Sequence, residues 1–231
     1  MSQDEVFNPF AAPEASERFD QGGASQGERI GPPWEKEGPG IRSFFDTVFG
    51  MVLRPGKTLA RMRRTPSIGL PFAFGFLGLY LFALPYNLLM LAGIDLAPFA
   101  NDQQLQVPKV LLFAWIFLIG PMVGMLMALV YSGFMHLLMR WQGYTEMPWG
   151  VTVRCIFYPM GSTAIWQLIP FVGPFIMVVQ NICLQVWSLK RLHELSWWRA
   201  IVGWLSPIIV AFLAAFILFL GMAMIAILAR G

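Results

Sequence analysis

Long uncharged stretches dominate the pattern of hydrophobic and polar positions along the chain. Four of them cover residues 65–94, 110–139, 155–189 and 200–229, and together they contain no Asp, Glu, Lys or Arg and a single histidine, His136. About 20 apolar residues are enough to cross the hydrocarbon core of a bilayer. Each stretch therefore predicts at least one transmembrane helix.

The third stretch is too long for a single span. Its 35 residues would form a helix of about 52 Å at about 1.5 Å per residue, against a hydrocarbon core of about 30 Å. The sequence "LIPFVGPF" lies near its middle, and Pro170, Gly173 and Pro174 are residues that favour a reversal. The stretch is either one oversized helix or two short spans joined at 169–174.

The positions of Lys and Arg distinguish these alternatives, because basic residues favour cytoplasmic loops. With residues 54–64 inside, a hairpin at 169–174 gives five crossings, with ten basic residues inside and two, Lys109 and Arg230, outside. A single crossing gives eight inside and four outside. The sequence therefore predicts an all-α integral membrane protein with the N-terminus inside and the C-terminus outside. Its five transmembrane helices span about 68–92, 112–138, 155–169, 174–189 and 201–227.

An amphipathic helix is predicted directly before the first span. Apolar side chains follow i, i+3, i+4, i+7, i+8 spacing over residues 41–53, at Ile41, Phe44, Phe45, Val48, Phe49, Val52 and Leu53. The helix is too short to span and is followed by five basic residues, Arg54, Lys57, Arg61, Arg63 and Arg64. This pattern favours an interfacial segment, residues 41–64, on the anionic cytoplasmic face of a bilayer. The alternative is that the helix packs on the other helices of the protein.

Residues 1–40 have a different character. They are rich in Gly, Pro, Ser, Gln and acidic residues and show no helical or strand period, which predicts a disordered cytoplasmic tail. Within it, Trp34 and the sequence "PPWEKEGPG" leave open a docking segment or short linear motif. We expect no cleavable signal peptide, since the N-terminus has neither a basic region nor an apolar one.

Charge composition agrees with membrane insertion. Only 13% of residues are charged, whereas about a quarter is usual for a soluble domain. Beyond Arg64 there are four acidic and seven basic residues in 167 positions, too few for a water-exposed surface. The net charge of +3 therefore reports orientation in the membrane and does not indicate nucleic acid as a partner.

No catalytic or metal-binding motif is apparent. The two cysteines, Cys155 and Cys183, lie in an apolar stretch without ligand spacing, and His136 is interpreted as an interfacial histidine. A proton relay would need ionisable groups at depth. We therefore expect a protein that is not an enzyme and that has no cofactor and no metal site.

Uncharged polar residues form the candidate intramembrane site. Gln167 lies in the third predicted span, and Asn181 and Gln185 lie one turn apart in the fourth. Such groups need partners in hydrocarbon and commonly join neighbouring helices. The alternative is a polar path or binding cavity between the two spans.

Two segments of the chain carry a recognisable arrangement. One is the amphipathic segment before the first span, "FFDTVFGMVLRPGKTLARM" (44–62). The other is residues 150–210, with an Arg-led helix, a mid-helix proline, the "LIP-x-x-G" turn and a proline-containing last helix. Together these segments resemble the Yip family of Ypt/Rab-interacting membrane proteins, in its bacterial branch. The resemblance implies a five-span, all-helical domain with the N-terminus inside. The acidic Asp-Leu-Tyr-Gly-Pro stretch of eukaryotic members is missing, so their Rab-linked trafficking role is not carried over.

The functional expectation is a multi-pass membrane protein of the Yip type that organises or shapes the bilayer or binds protein partners. We expect it in the bacterial cytoplasmic (inner) membrane, with lipid, other membrane proteins or a second copy of itself as partners. The alternative is a small transporter or permease subunit, with Gln167, Asn181 and Gln185 along a polar path.

Overall fold

The computed structural model of the protein describes residues 29–91 and 119–228, and every regular element in these ranges is helical. The all-helical fold class is therefore confirmed for this part of the chain. Several features of the sequence lie outside the described residues, namely residues 1–28 of the predicted tail, the start of the second predicted span, Lys109 and Arg230. In chain order the helices are α1 (Pro33–Lys36), α2 (Ile41–Leu53), α3 (Pro55–Arg61), α4 (Gly69–Leu91), α5 (Gly120–Trp141), α6 (Trp149–Thr163), a 3₁₀ helix (Ala164–Leu168), α7 (Gly173–Leu192) and α8 (Trp197–Leu228).

Among the described residues, two helices are long and apolar enough to cross a membrane, namely Gly120–Trp141 and the part of α8 from Trp197 to Met222. Only 28% and 11% of their most apolar windows are buried inside the protein. Their apolar side chains therefore face outward, as lipid-facing side chains do. The number of spans and their direction remain predictions.

A reversal lies where the prolines and Gly173 predict one. The 3₁₀ helix ends at Leu168 and α7 begins at Gly173, with Phe171 at a positive φ of 62° between them. A Cβ at position 173 would overlap the carbonyl oxygen of Trp166, so this position requires glycine. The uncharged stretch 155–189 is therefore two helices.

The helical segments on the two sides of the reversal, α6 with its 3₁₀ continuation and α7, are both longer than the predicted spans 155–169 and 174–189. α6 has 15 residues and continues as 5 residues of 3₁₀ helix, while α7 has 20 residues. Twenty α-helical residues extend about 30 Å, which matches the hydrocarbon core. α6 begins at Trp149, six residues earlier than the predicted span. Arg154, which was predicted to lie in a cytoplasmic loop, is therefore a buried residue of this helix.

α6 is the central helix of the fold. It packs against α2, α4, α5 and α7, and its residues from Gly150 to Pro159 are all buried. Glycines permit its close approach to α4: a Cβ on Gly78 would overlap the backbone of Gly161, and Gly161 in turn lies against Gly75. Small residues at helix crossings let backbones approach and gain van der Waals contact in membrane proteins.

The end of the predicted disordered tail, residues 1–40, requires correction. Trp34 and Glu35 of α1 are only 4% and 7% exposed, and the Gly31 amide donates to the Arg61 carbonyl oxygen at 2.8 Å. The polar, Pro- and Gly-rich composition of this segment did not indicate that these two side chains are buried. The folded part of the protein therefore includes this segment.

The α4–α6 crossing can be tested by two matched substitutions. Gly78→Ala should lower the free energy of unfolding by about 1–3 kcal/mol, because the added methyl group forces two helix backbones apart. Gly124→Ala in α5 is the control, since a Cβ there meets no atom of the described residues within 4 Å, and alanine favours a helix by up to about 1 kcal/mol. Unfolding in mixed detergent micelles, followed by tryptophan fluorescence, measures both. Equal stability of the two variants would contradict the close crossing.

Candidate functional site

A buried ion pair connects the N-terminal segment to the central helix. Arg154 Nε donates to Glu35 Oε1 at 2.9 Å, and the two side chains are only 2% and 1% exposed. Tyr158, one turn further along α6, donates its hydroxyl group to the same carboxylate oxygen at 2.9 Å. An uncompensated charge at such a position is strongly destabilising. Each of the two charges therefore requires the other.

The remaining donors of Arg154 hold the connection between α3 and α4. Its Nη1 donates to the carbonyl oxygens of Thr65 at 2.9 Å and Ser67 at 2.7 Å, and its Nη2 donates to the Thr65 hydroxyl at 2.8 Å. A planar guanidinium group satisfies several fixed acceptors at once, which an ammonium group on a flexible stem does less well. Arg154 thus fixes both α1 and the start of α4 to α6.

Trp34 positions the glutamate beside it. Its backbone amide donates to the Thr47 hydroxyl, and its indole Nε1 donates to the Leu70 carbonyl oxygen, both at 3.0 Å. Its ring makes edge contacts with Phe44 and Phe74. A four-residue helix such as α1 is not stable alone. These contacts to α2 and α4 hold it in place.

The two histidines of the protein belong to one hydrogen-bonded chain. His136 Nδ1 lies 2.9 Å from the Thr152 hydroxyl oxygen, which lies 3.2 Å from His193 Nε2, and His193 Nδ1 lies 2.7 Å from the Thr145 hydroxyl oxygen. The chain joins α5, α6 and the segment after α7. Burial, together with smaller effects of the nearby His136 and Arg64, lowers the pKa of His193 from 6.5 to about 3. His193 is therefore neutral at physiological pH.

The basic residues of the predicted membrane-surface segment separate into two groups. Arg54, Lys57 and Arg61 are exposed. Arg63 and Arg64 are only partly exposed, and Arg64 Nη2 lies 2.6 Å from Glu194 Oε1. The cluster is therefore not one continuous surface.

The predicted intramembrane polar residues also separate. Gln185 is bound within its own helix by Asn181, at 3.2 Å, and receives the indole N–H of Trp204 at 2.7 Å. Gln167 instead lies 3.2 Å from the sulfur of Met177. The pair Asn181–Gln185 thus joins α7 to α8, and Gln167 has a different partner.

Sequence patterns missed Glu35 and Arg154 as site residues. Arg154 stands directly before 35 uncharged residues. Glu35 follows Trp34 in a short segment that has Pro and Gly residues on both sides. An arginine at the start of an apolar helix indicates a need for an acidic partner. Nothing local identifies that partner, which lies 119 positions away.

Across the two described ranges, no group of three or more His, Cys, Asp or Glu side chains could hold a metal ion. The ion pair and the histidine chain consist of groups that bind one another. Such networks fix the relative positions of helices. Comparisons with protein-family models, with curated proteins and with solved structures find no match to this chain.

The ion pair can be tested by a double-mutant cycle on Glu35→Gln and Arg154→Met. Arg154→Met alone should lower the free energy of unfolding by about 3–5 kcal/mol, because it leaves a buried carboxylate without its partner. The double variant should lose less than the sum of the two single losses, with a coupling of about 1–3 kcal/mol.

The control for this cycle is Arg42→Gln. Arg42 pairs with Asp46 across one turn of α2 at 3.7 Å, with 91% of its side chain exposed, and exposed pairs contribute little. Its loss should leave the unfolding midpoint in detergent close to that of the wild type. Additive effects of the Glu35 and Arg154 substitutions would contradict a buried pair.

The lowered pKa of His193 predicts a loss of stability in acid. From pH 6.5 down to about 3 the unfolded chain binds a proton at this residue that the folded chain does not. The contribution of neutral His193 to the free energy of unfolding is therefore complete above pH 6.5. It falls as the pH decreases, by at most about 1.4 kcal/mol per pH unit. His193→Gln should flatten the pH dependence of the unfolding free energy. Thr145→Val keeps the titrating group and should retain the slope while lowering stability at every pH.

Proposed function

We propose that the protein is a multi-pass integral membrane protein of the Yip type that organises or shapes the bilayer and has no catalytic activity. In this proposal the chain crosses the bacterial cytoplasmic membrane five times, with the N-terminus inside and the C-terminus outside. α1, α2 and α3 lie at the cytoplasmic face. The body of the bundle lies in lipid, where it can also bind other membrane proteins.

The observation that carries the proposal is the division of α2 into two apolar faces. One face, with Phe44, Val48 and Met51, is completely buried in the protein. A second stripe follows i, i+4 spacing and remains open to the surroundings, with Ile41 82% exposed and Phe49 47% exposed. Apolar aromatic surface on a short helix next to exposed basic residues is typical of helices that lie in the headgroup region.

The buried face of α2 gives the proposed role a physical basis. A free amphipathic helix adjusts its depth in the bilayer, whereas α2 is held by its contacts with α6 and α1. The exposed stripe would therefore enter the cytoplasmic leaflet at a fixed depth relative to the bundle. It would displace headgroups there, which is a means of sensing or producing curvature.

The outer surfaces of α5 and α8 support the assignment to lipid. α8 exposes nearly every large apolar side chain of its second half, from Phe212 to Ile225 where the structure describes them. α5 exposes Met122, Leu126, Val130 and Leu137 along one side. A continuous apolar surface of this extent indicates a membrane or a large partner.

The polar groups at depth favour a structural role over transport. The side-chain amide of Gln185 is engaged on both sides, because its nitrogen donates to Asn181 and its oxygen accepts from the indole N–H of Trp204. Groups satisfied in this way join helices. They do not leave a row of free donors and acceptors along a path.

Cysteine labelling tests the proposal in a Cys183→Ala background, in which the remaining Cys155 is completely buried. Single cysteines at Asp46, Phe49 and Val172 report the polar side of α2, its exposed stripe and the α6–α7 reversal. An impermeant maleimide should react with position 46 only in inside-out vesicles and with position 172 only in right-side-out vesicles. A nitroxide at position 49 should collide with oxygen more often than with a water-soluble nickel chelate, and position 46 should show the reverse.

Two outcomes would count against the proposal. Labelling of position 172 from the cytoplasmic side would overturn the five-span topology. Equal exposure of positions 46 and 49 to the nickel chelate would overturn the membrane-facing role of α2. Because both positions lie on the same helix, position 46 is the matched control for position 49.

A further inference from the structure

Three arginines surround one cavity at the end of the bundle that holds the ion pair. The cavity has a volume of about 350 Å³ and is lined by Arg29, Arg63, Arg64 and Thr65. This is room for roughly ten waters at about 30 Å³ each. We refer to these four residues as the arginine pocket.

Two restrained segments form the walls of the arginine pocket. Arg29 stands two residues before Gly31, whose amide donates to the Arg61 carbonyl oxygen at 2.8 Å. Arg63 and Arg64 precede Thr65, which is bound through its carbonyl oxygen and its hydroxyl by the buried Arg154. The pocket is therefore formed by the fold and does not depend on the chance meeting of flexible side chains.

Two guanidinium donors of the pocket residues lack a hydrogen-bond acceptor among the described residues. Arg29 Nη1 and Arg64 Nε are both buried and unpaired. Arg64 uses its Nη2 on Glu194, at 2.6 Å, and on the Arg191 carbonyl oxygen, at 3.2 Å. Buried donors in proteins are almost always paired. Two unpaired donors on residues that line one cavity therefore indicate a missing acceptor.

The electrostatics of the pocket favour an anion. Burial lowers the pKa of Arg29, the positive charge of Arg64 lowers it further, and Glu194 partly offsets both effects. Glu194 is the only carboxylate paired with a pocket residue in the part of the chain that the structure describes, and Glu35 is engaged by Arg154. An anion in the cavity would therefore relieve repulsion among the three cations.

We propose that the arginine pocket binds a phosphate group through charge-assisted hydrogen bonds from Arg29, Arg63 and Arg64. The forked donors of arginine match the oxygen geometry of phosphate. The phosphate can belong to a lipid headgroup or to a free phosphate ion, which present the same oxygens. The argument for a phosphate site depends only on the pocket residues. A lipid headgroup as the source of the phosphate depends in addition on the proposed membrane function.

Binding of two probes to the full chain in a non-ionic, phosphate-free detergent tests the site. The probes are inorganic phosphate and dioctanoyl phosphatidylglycerol, and calorimetric titration measures the dissociation constant and stoichiometry. Saturable binding of either probe at one equivalent supports the site. Binding of the lipid alone identifies a headgroup, and equal binding of both identifies the phosphate itself as the ligand. Binding of neither probe overturns the proposal.

Two triple variants of equal charge distinguish the pocket from general attraction. Arg29→Gln with Arg63→Gln and Arg64→Gln should weaken binding about tenfold or more, since each charge-assisted hydrogen bond contributes more than about 1.4 kcal/mol. Arg54→Gln with Lys57→Gln and Arg61→Gln removes three exposed charges and, with inorganic phosphate as the probe, should leave the dissociation constant within about threefold of the wild type, as expected for screened charges. Equal losses in the two variants would overturn the pocket.

A third variant keeps the proposal testable if the pocket variant does not fold. Glu194→Gln removes the carboxylate that occupies Arg64, and Glu194 is 64% exposed, so the fold should tolerate it. Affinity for the bound probe should rise about threefold or more, because Arg64 no longer has a competing anion. An unchanged or weaker affinity would contradict the site. The labelling experiment on α2 decides the membrane function separately, so failure of one leaves the other intact.

Discussion

Arg154 introduces a positive charge into α6, whose residues from Gly150 to Pro159 are all buried, and much of the surrounding structure satisfies that charge. Glu35 neutralises it, and the remaining guanidinium donors bind the carbonyl oxygens of Thr65 and Ser67 and the Thr65 hydroxyl. The short α1 and the connection into α4 therefore cannot leave α6 without exposing an unpaired charge in a low-dielectric region. The ion pair makes the N-terminal segment part of the bundle.

This arrangement divides the protein into two chemically different parts. At one end, arginines, histidines, threonines and Glu35 form hydrogen-bonded networks that join α1, α3, α5 and α6. Elsewhere the helices meet mainly through apolar side chains and glycines, with Gln180 and Gln185 as polar contacts, and expose apolar surface. The proposed interfacial role of α2 and the proposed phosphate site both belong to the polar end, where a bundle inserted in lipid would meet water and headgroups.

Periodicity and local residue preferences predict most of the helices but not their partners. The bounds of α2 and the reversal before Gly173 follow from spacing and from turn residues within a few positions. The buried face of α2 differs from the predicted stripe, because Ser43 and Thr47 are buried while Ile41 is exposed. That rotation depends on the surface of α6, which local spacing does not contain. The pairing of Glu35 with Arg154 also could not be predicted from local sequence, because composition places Glu35 in a tail and Arg154 in a loop.

The wide separation of Glu35 and Arg154 also orders events during synthesis. Glu35 leaves the ribosome 119 residues before its partner, so α1 and the buried face of α2 exist for that interval without α6 to cover them. The N-terminal segment can dock only after the central helix has been made. In a newly made chain, Trp34 and Phe44 are therefore first exposed to chaperones or to the membrane surface. The hydrogen-bonded network of the polar end forms only after the helix that contains Arg154 has been synthesised.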